Sequence, residues 1–150
     1  MKIEQIKVVA GLILQNNKLL ICQRPKFKDH PLKWEFPGGK IKNDETNEEA
    51  LIREINEELS INILNYEELI SYNFDYKDLK KQVFIYFYLV NNFSGKVLNN
   101  FHKELKWIKI KDIREYDFLE GDHKIIDHIS SNDFKSVSYT HLTLPTKRIV

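Results

Sequence analysis

The sequence has little cysteine, no excess of charge and no long apolar run, and each shortage excludes a class of protein. Its 150 residues include a single cysteine, Cys22, which excludes a disulfide framework and a cysteine-based zinc site. With 23 basic and 22 acidic residues, the chain has no charge excess that would favour a nucleic-acid polymer or an anionic membrane. No apolar run approaches a membrane span, and the first residues lack a signal-peptide pattern. We therefore expect one soluble, cytoplasmic domain.

Turn residues and β-branched runs predict a chain of strands that is interrupted by one helix and closed by another. Asn16-Asn17 separates two β-branched runs and predicts a hairpin, whereas stretch 25–33 predicts a loop and Pro37-Gly38-Gly39 a turn that ends a strand. Predicted strands cover 3–14, 18–24, 34–36, 67–76, 82–90 and 104–110, and a closing helix covers 121–129. This order suits a mixed sheet with helices on both faces.

A helix is predicted over 47–59. Thr46 and Glu49 have the spacing of a capping box, in which each side chain bonds to the backbone of the other residue. An apolar stripe is predicted along one side of the helix, formed by Leu51, Ile52, Ile55 and Leu59.

Three carboxylates share the face beside that stripe. Glu54, Glu57 and Glu58 stand at positions i, i+3 and i+4, where like charges repel by a few tenths of a kcal/mol per pair. Either water solvates this face and the glutamates have no functional role, or a cation binds there. Mg²⁺ prefers carboxylate and carbonyl oxygens and binds polyphosphates, so a metal that bridges the glutamates to a nucleotide would explain the cluster.

A longer pattern contains the same glutamates. Gly39, five residues, Glu45, seven residues and then the segment REINEELSI at 53–61 resemble the Nudix hydrolase box, G-x5-E-x7-R-E-U-x-E-E-x-G-U, where U is aliphatic. Every fixed position matches except the final glycine, where this chain has Ser60. The segments ICQRP, WEFPGGK and HKELKW are similar to those of MutT-type members.

The resemblance implies a fold and an activity. The fold is a Nudix-type α/β/α sandwich (α+β) around a mixed sheet, over residues 1–136. The activity is hydrolysis of a (deoxy)nucleoside triphosphate to monophosphate and pyrophosphate, with Mg²⁺ or Mn²⁺ as cofactor. An oxidised purine nucleotide such as 8-oxo-dGTP is the expected substrate. CTP or methylated dCTP is an alternative, and so is a module that binds a nucleotide without hydrolysing it.

The resemblance also assigns residues to roles. Glu54, Glu57, Glu58 and the Gly38 carbonyl would hold the metal, and one of these carboxylates would orient or deprotonate the attacking water. Arg53 would brace the loop through Glu45. The expected substrate contacts are Arg24 and Lys40 for the phosphates, Phe36 and Phe74 for the base pocket, and Asp122 for the base edge.

Some of these residues also have simpler interpretations. Phe36 and Phe74 would suit an apolar core, Arg24 a surface charge, and Asp122 the N-cap of the last helix.

Three further positions depart from the expected pattern. Ser60 stands where helices often need a left-handed cap, at a cost of order 1 kcal/mol for serine. Phe101 replaces a glutamate that relatives often carry, and Glu104 is its nearest substitute in sequence. Residues 137–150 lack a period that joins them to the preceding helix, so we expect a non-native or disordered tail there.

Overall fold

The computed structural model describes residues 3–131, so the predicted tail at 137–150 lies outside the described residues. Within these described residues, seven strands and two α-helices follow one another: β1 (Glu4–Gln15), β2 (Lys18–Gln23), β3 (Trp34–Glu35), β4 (Gly38–Lys40), α1 (Asn47–Leu59), β5 (Asn62–Tyr76), β6 (Lys81–Ser94), β7 (Glu104–Ile108) and α2 (His123–Ser131). Neither described helix is long and apolar enough to cross a membrane.

The strands form one mixed sheet, as expected. β1 is its centre: it runs parallel to β6, with Ile6 opposite Val83, and antiparallel to β2 and β4. β5 pairs with the far side of β6, while β3 and β7 both pair with β2. The hairpin between β1 and β2 is also confirmed, because Asn16 and Asn17 both have the positive φ angles of a tight hairpin turn.

Side chains of β1 alternate between two apolar layers, because successive residues of a strand point to opposite faces. On one face, Val9 and Ile13 pack under α1 with Leu51 and Ile55. On the other face, the alternate residues Ala10, Leu12 and Leu14 pack with the α2 residues Ile125, Ile126 and Ile129. The expected α/β/α layering is therefore confirmed.

Helix α1 has the predicted bounds and the predicted cap. The Glu49 N–H donates to Thr46 Oγ1 at 3.1 Å, and the Thr46 N–H donates to Glu49 Oε1 at 2.9 Å. The predicted apolar stripe is wrong at Ile52, which is 40% exposed, whereas Ala50 is buried. Each helical residue turns by about 100°, so Ile52 and Ala50 lie on opposite sides of Leu51, and only the side of Ala50 faces the sheet.

The strand before Pro37 ends as predicted, since β3 stops at Glu35, but Gly38 and Gly39 lie in a strand rather than in a turn. The Gly11 N–H donates to the Pro37 carbonyl at 2.8 Å, and Gly38–Lys40 then continues beside β1 as a strand of its own. This pairing holds the glycines against the middle of the sheet, close to α1.

Strands β5 and β6 are longer than the predicted 67–76 and 82–90. Register shifts occur between Ile63 and Asn65 and between Glu68 and Ser71, and each shift changes which side chains face the core. The alternation of core-facing and outward-facing residues is therefore interrupted in the sequence, although the pairing of β5 with β6 continues. Strand β7 is shorter than predicted and ends at Ile108.

Candidate active site

A cleft of about 670 Å³ opens beside β1, β4 and β6, a size that suits a small-molecule ligand. It brings together eight of the predicted site residues: Arg24, Phe36, Gly38, Lys40, Glu54, Glu57, Glu58 and Asp122. We call the part formed by Gly38, Gly39, Glu54, Glu57 and Glu58 the acidic end, and the part formed by Phe36, Tyr76, Leu119 and Asp122 the aromatic end.

The acidic end exists because two glycines let α1 approach the β4 backbone. A Cβ atom on Gly39 would lie 2.4 Å from the Glu54 carboxyl carbon, so a side chain there would displace the carboxylate. The Gly38 N–H donates to Glu58 Oε1 at 3.2 Å, and its φ of 157° leaves its backbone extended. The two carboxylates therefore stand directly against main-chain atoms of β4.

Arg53 ties the loop after β4 to α1. Its guanidinium donates to both oxygens of Glu45, at 2.5 and 2.9 Å, and to the Lys40 carbonyl at 3.1 Å. The hydrogen bond from Arg53 lowers the pKa of Glu45 to about 2. Arg53 also reaches Glu54 at 3.1 Å and Glu57 at 3.3 Å. Neither Arg53 nor Glu45 lines the cleft, and these contacts are those of a bracing pair.

The three glutamates of α1 differ in how much water reaches them. The Glu57 side chain is 56% exposed, but those of Glu54 and Glu58 are only 16% and 14% exposed. Burial raises the pKa of Glu58 to about 9, and the charges of Glu35 and Glu54 add to the effect. Burial also raises the pKa of Glu54, although Arg53 opposes it. A simple solvated face would not hold two carboxylates in this way.

The donor set fits a divalent cation in its chemistry, because it offers carboxylates, a glycine carbonyl and a polar cleft. Buried carboxylates that raise one another's pKa are the groups whose repulsion a cation relieves. Within residues 3–131, however, no three acidic, histidine or cysteine side chains are already gathered as a metal site. Glu54 and Glu57 instead turn toward Arg53.

At the aromatic end, Asp122 is a buried carboxyl group. It accepts a hydrogen bond from the Phe36 N–H, while burial and the nearby Glu35 raise its pKa well above the usual range. The N-cap alternative is not supported: the Ile125 N–H of α2 donates to the Tyr72 hydroxyl at 3.1 Å. Asp122 therefore points toward the cleft rather than along the helix.

Two tyrosines of β5 hold the turn that carries Asp122. The Tyr72 hydroxyl donates to the Gly121 carbonyl at 2.6 Å, and the Gly121 N–H donates to the Tyr76 hydroxyl at 2.9 Å. A Cβ atom on Gly121 would lie 2.4 Å from that hydroxyl oxygen, so only glycine fits. Sequence reasoning missed this support, since nothing local in the sequence links β5 to residue 121.

The two predicted base-pocket aromatics have different positions. Phe36 lines the cleft but is also a core residue, 4% exposed and packed against Phe87 and Phe118. Phe74, by contrast, does not line the cleft. Its ring meets that of Tyr76 at 4.8 Å, and Tyr76, one alternate position further along the same face of β5, reaches the cleft instead.

Arg24 is held by carboxylates rather than free on the surface. It donates to Glu35 at 2.8 Å and also pairs with Asp29, and its side chain is only 12% exposed. Lys40 also lines the cleft and is exposed. Glu35 was missed as a cleft residue, although its place between the buried Trp34 and Phe36 on an alternating strand could have suggested that it points elsewhere.

Phe101 lies at the mouth of the cleft, in the position of the expected glutamate. Its ring meets the 79% exposed Phe27 at 6.4 Å, and Lys28 Nζ lies 5.8 Å from its centre. Glu104 pairs with Gln23 at the start of β7 and does not line the cleft. Glu104 therefore does not replace the missing carboxylate.

Known proteins resemble this chain in both sequence and fold. The NUDIX domain model matches residues 5–129. An 8-oxo-dGTP diphosphatase of Buchnera aphidicola subsp. Schizaphis graminum is 31% identical over 85% of this chain and 95% of its own length. A CTP pyrophosphohydrolase of Escherichia coli is 30% identical over 83% and 90%. A solved MutT structure, from work on the Aliivibrio salmonicida and Vibrio cholerae proteins, has a TM-score of 0.73 at 30% identity and covers 84% of this chain and 97% of its own.

Proposed function

The chain belongs to the NUDIX domain family and is a MutT-type Nudix hydrolase, and from this premise we propose that it converts a (deoxy)nucleoside triphosphate to a monophosphate and pyrophosphate. The proposed substrate is an oxidised purine nucleotide such as 8-oxo-dGTP, and the proposed cofactor is Mg²⁺, which Mn²⁺ can replace. The observation that carries the proposal is the acidic end, where buried carboxylates stand against the β4 backbone inside a nucleotide-sized cleft.

The acidic end supplies the reaction chemistry. Glu54, Glu57, Glu58 and the Gly38 carbonyl would hold the cation, which would neutralise phosphate charge and activate water when bound. One of the three carboxylates orients the attacking water and accepts its proton. Water adds at a phosphorus of the α–β anhydride, the bridging P–O bond breaks, and monophosphate and pyrophosphate are released.

Basic groups beside the acidic end position the phosphates. Arg24 is fixed by Glu35 and Asp29, and Lys40 is held at its backbone by Arg53. Both line the cleft and would pair with phosphate oxygens of the substrate. The Arg53–Glu45 pair acts indirectly, since it fixes the loop after β4 and keeps the Gly38 carbonyl in place.

The aromatic end would bind the base. Burial raises the pKa of Asp122 well above its usual range, which favours the protonated form, and a protonated carboxyl group would offer one donor and one acceptor side by side. In 8-oxoguanine the N7–H is a donor and O6 is an acceptor, a pair complementary to the acceptor and donor of such a carboxyl group, whereas N7 and O6 of ordinary guanine are both acceptors. Phe36 and Tyr76 supply the apolar and aromatic walls beside it.

The same pair of groups on Asp122 supports CTP or methylated dCTP as the second candidate substrate. Cytosine presents a donor at its amino group and an acceptor at N3, so it can also satisfy a protonated carboxyl group. Discrimination between the two bases would then depend on the shape of the pocket around Phe36 and Tyr76.

A product assay tests the proposal directly. The purified protein would be incubated with 8-oxo-dGTP, dGTP, CTP and 5-methyl-dCTP, in Mg²⁺, in Mn²⁺ and in chelator. We expect pyrophosphate and monophosphate only when a metal is present, and fastest for 8-oxo-dGTP. Release of inorganic phosphate and a diphosphate would contradict the bond assignment. Tight nucleotide binding without any product would favour the non-catalytic module. Phe101 is consistent with that alternative, because it stands where a glutamate was expected.

A further inference from the structure

His102 is a buried histidine that the mechanism above does not use. Its side chain is 1% exposed, and neither ring nitrogen has a hydrogen-bond partner among the described residues. Buried polar groups in folded proteins are nearly always paired, so two unpaired ring nitrogens at one site need an explanation.

Two carboxylates of the cleft lie just outside hydrogen-bonding distance of this ring. His102 Nε2 is 3.4 Å from Glu35 Oε2 and 3.7 Å from Glu58 Oε1. A shift of a few tenths of an ångström would bring either oxygen into range. Since Glu35 also accepts from Arg24 at 2.8 Å, His102 completes a line of polar groups from Arg24 to Glu58.

The backbone around His102 is fixed to α1 and β2. The Asn99 side chain accepts from the His102 N–H at 2.8 Å and donates to the His102 carbonyl at 2.7 Å. The Asn100 side chain donates to the Glu57 carbonyl at 3.1 Å, and the Asn100 N–H donates to the Glu58 carbonyl at 3.0 Å. The loop therefore holds the imidazole against the turn of α1 that carries Glu57 and Glu58.

We propose that His102 is a positioning residue, whose Nε2–H bridges Glu35 and Glu58 and holds the Glu58 carboxylate in the orientation that a divalent cation needs. The inference rests on the proposed function, because it assumes that Glu58 is a metal ligand. Groups that hydrogen-bond to metal ligands commonly change metal affinity ten- to a hundredfold when they are removed.

Three substitutions separate this role from simple packing. His102→Gln places an amide N–H near the position of Nε2, His102→Asn places one near Nδ1, and His102→Leu fills the space without a donor. Mn²⁺ binding without nucleotide, followed by the electron paramagnetic resonance signal of free Mn²⁺, reports on the ligands separately from turnover. His128→Leu, on α2 and outside the cleft, is the control for loss of an imidazole.

We expect His102→Leu and His102→Asn to weaken Mn²⁺ binding by about tenfold, and His102→Gln to stay within about threefold of the original protein. A packing role predicts instead that affinity follows the melting temperature of each variant. Equal affinities in the Gln and Asn variants would overturn the proposal, even if the Leu variant fails to fold. Mn²⁺ binding that Glu57→Gln abolishes but His102→Leu leaves unchanged would overturn the role of His102 alone. No Mn²⁺ binding by the unaltered protein would overturn the metal site as well.

Discussion

The acidic end of the cleft comes from one stretch of sequence, whereas the aromatic end is assembled from three. Gly38 to Glu58 supplies every group of the acidic end, and Arg53 and Glu45 brace it from inside the same stretch. The aromatic end takes Phe36 from the turn after β3, Tyr76 from the end of β5, and Leu119 and Asp122 from the segment before α2. A reaction centre confined to one motif can stay fixed while distant segments change the pocket around the base.

The largest expected effect is at the acidic end. Glu57→Gln or Glu58→Gln removes a charge that would hold the cation, so we expect turnover to fall by roughly 10²-fold or more, which corresponds to about 3 kcal/mol of barrier. Steady-state pyrophosphate release over a range of Mg²⁺ concentrations measures this. Near-normal turnover with unchanged Mg²⁺ dependence in Glu57→Gln would show that the metal assignment is wrong.

The second effect concerns stability without metal. The folded-state pKa of Glu58 is about 9, against 4.5 for a free glutamate, so the unfolded chain releases this proton first as pH rises. The metal-free protein should therefore lose stability between about pH 4.5 and pH 9, by on the order of a few kcal/mol. Glu58→Gln should remove part of that loss and raise the melting temperature in chelator at pH 8, although it lowers turnover.

Melting curves of both proteins in chelator, from pH 6 to pH 9, measure this difference. The gap between variant and original protein should widen as pH rises, because the glutamine cannot ionise. A constant gap across the range would mean that Glu58 ionises freely in the folded state.

The third effect tests how the aromatic end is supported. Tyr72→Phe removes the donor to the Gly121 carbonyl and the acceptor for the Ile125 N–H, so it should cost about 1–3 kcal/mol of stability. Thermal unfolding should show a melting temperature several degrees lower. Tyr88→Phe, which loses a hydrogen bond to Glu48 on the other face of the sheet, is the control. We expect only Tyr72→Phe to change the preference among nucleotides, since only that turn carries Asp122.

The smallest effect is at the helix exit. Ser60 has a φ of 61°, so the left-handed cap expected from the box is present, and serine there is strained by about 1 kcal/mol. Its hydroxyl accepts from the Asn100 side chain at 2.8 Å, which offsets part of the strain. Ser60→Gly should therefore stabilise the Asn100→Ala variant more than the original protein, and a double-mutant cycle of unfolding free energies measures the difference.

The sequence predicted the acidic end of the cleft better than the aromatic end. The capping box, the bounds of α1 and the acidic cluster depend on residues within a few turns of one another, and the structure has them all. Glu35 and His102 meet only through the pairing of β2 with β3 and β7, and Asp122 is held by tyrosines of a strand distant in sequence. Such contacts depend on packing between elements, which a local pattern does not report.

The choice of Phe74 shows the same limit in one residue. The alternation of side chains places Phe74 and Tyr76 on one face of β5. Which of the two reaches the cleft depends on its position along the strand. The position of Asp122 in the sequence likewise suited the N-cap of α2. In the structure, however, the Ile125 N–H donates to the Tyr72 hydroxyl.

The two ends of the cleft have separate proposed roles, reaction at the acidic end and base selection at the aromatic end, and one set of kinetic constants tests this separation. Values of kcat/KM for 8-oxo-dGTP, dGTP and CTP would be measured for the original protein, Glu57→Gln, Asp122→Ala and Asp122→Asn. We expect Glu57→Gln to lower all three by a similar factor. Asp122→Ala should change their ratios by roughly ten- to a hundredfold, while Asp122→Asn, which keeps a neutral donor and acceptor, should preserve them better. Unaltered ratios in Asp122→Ala, or a loss in Glu57→Gln confined to one nucleotide, would contradict the account.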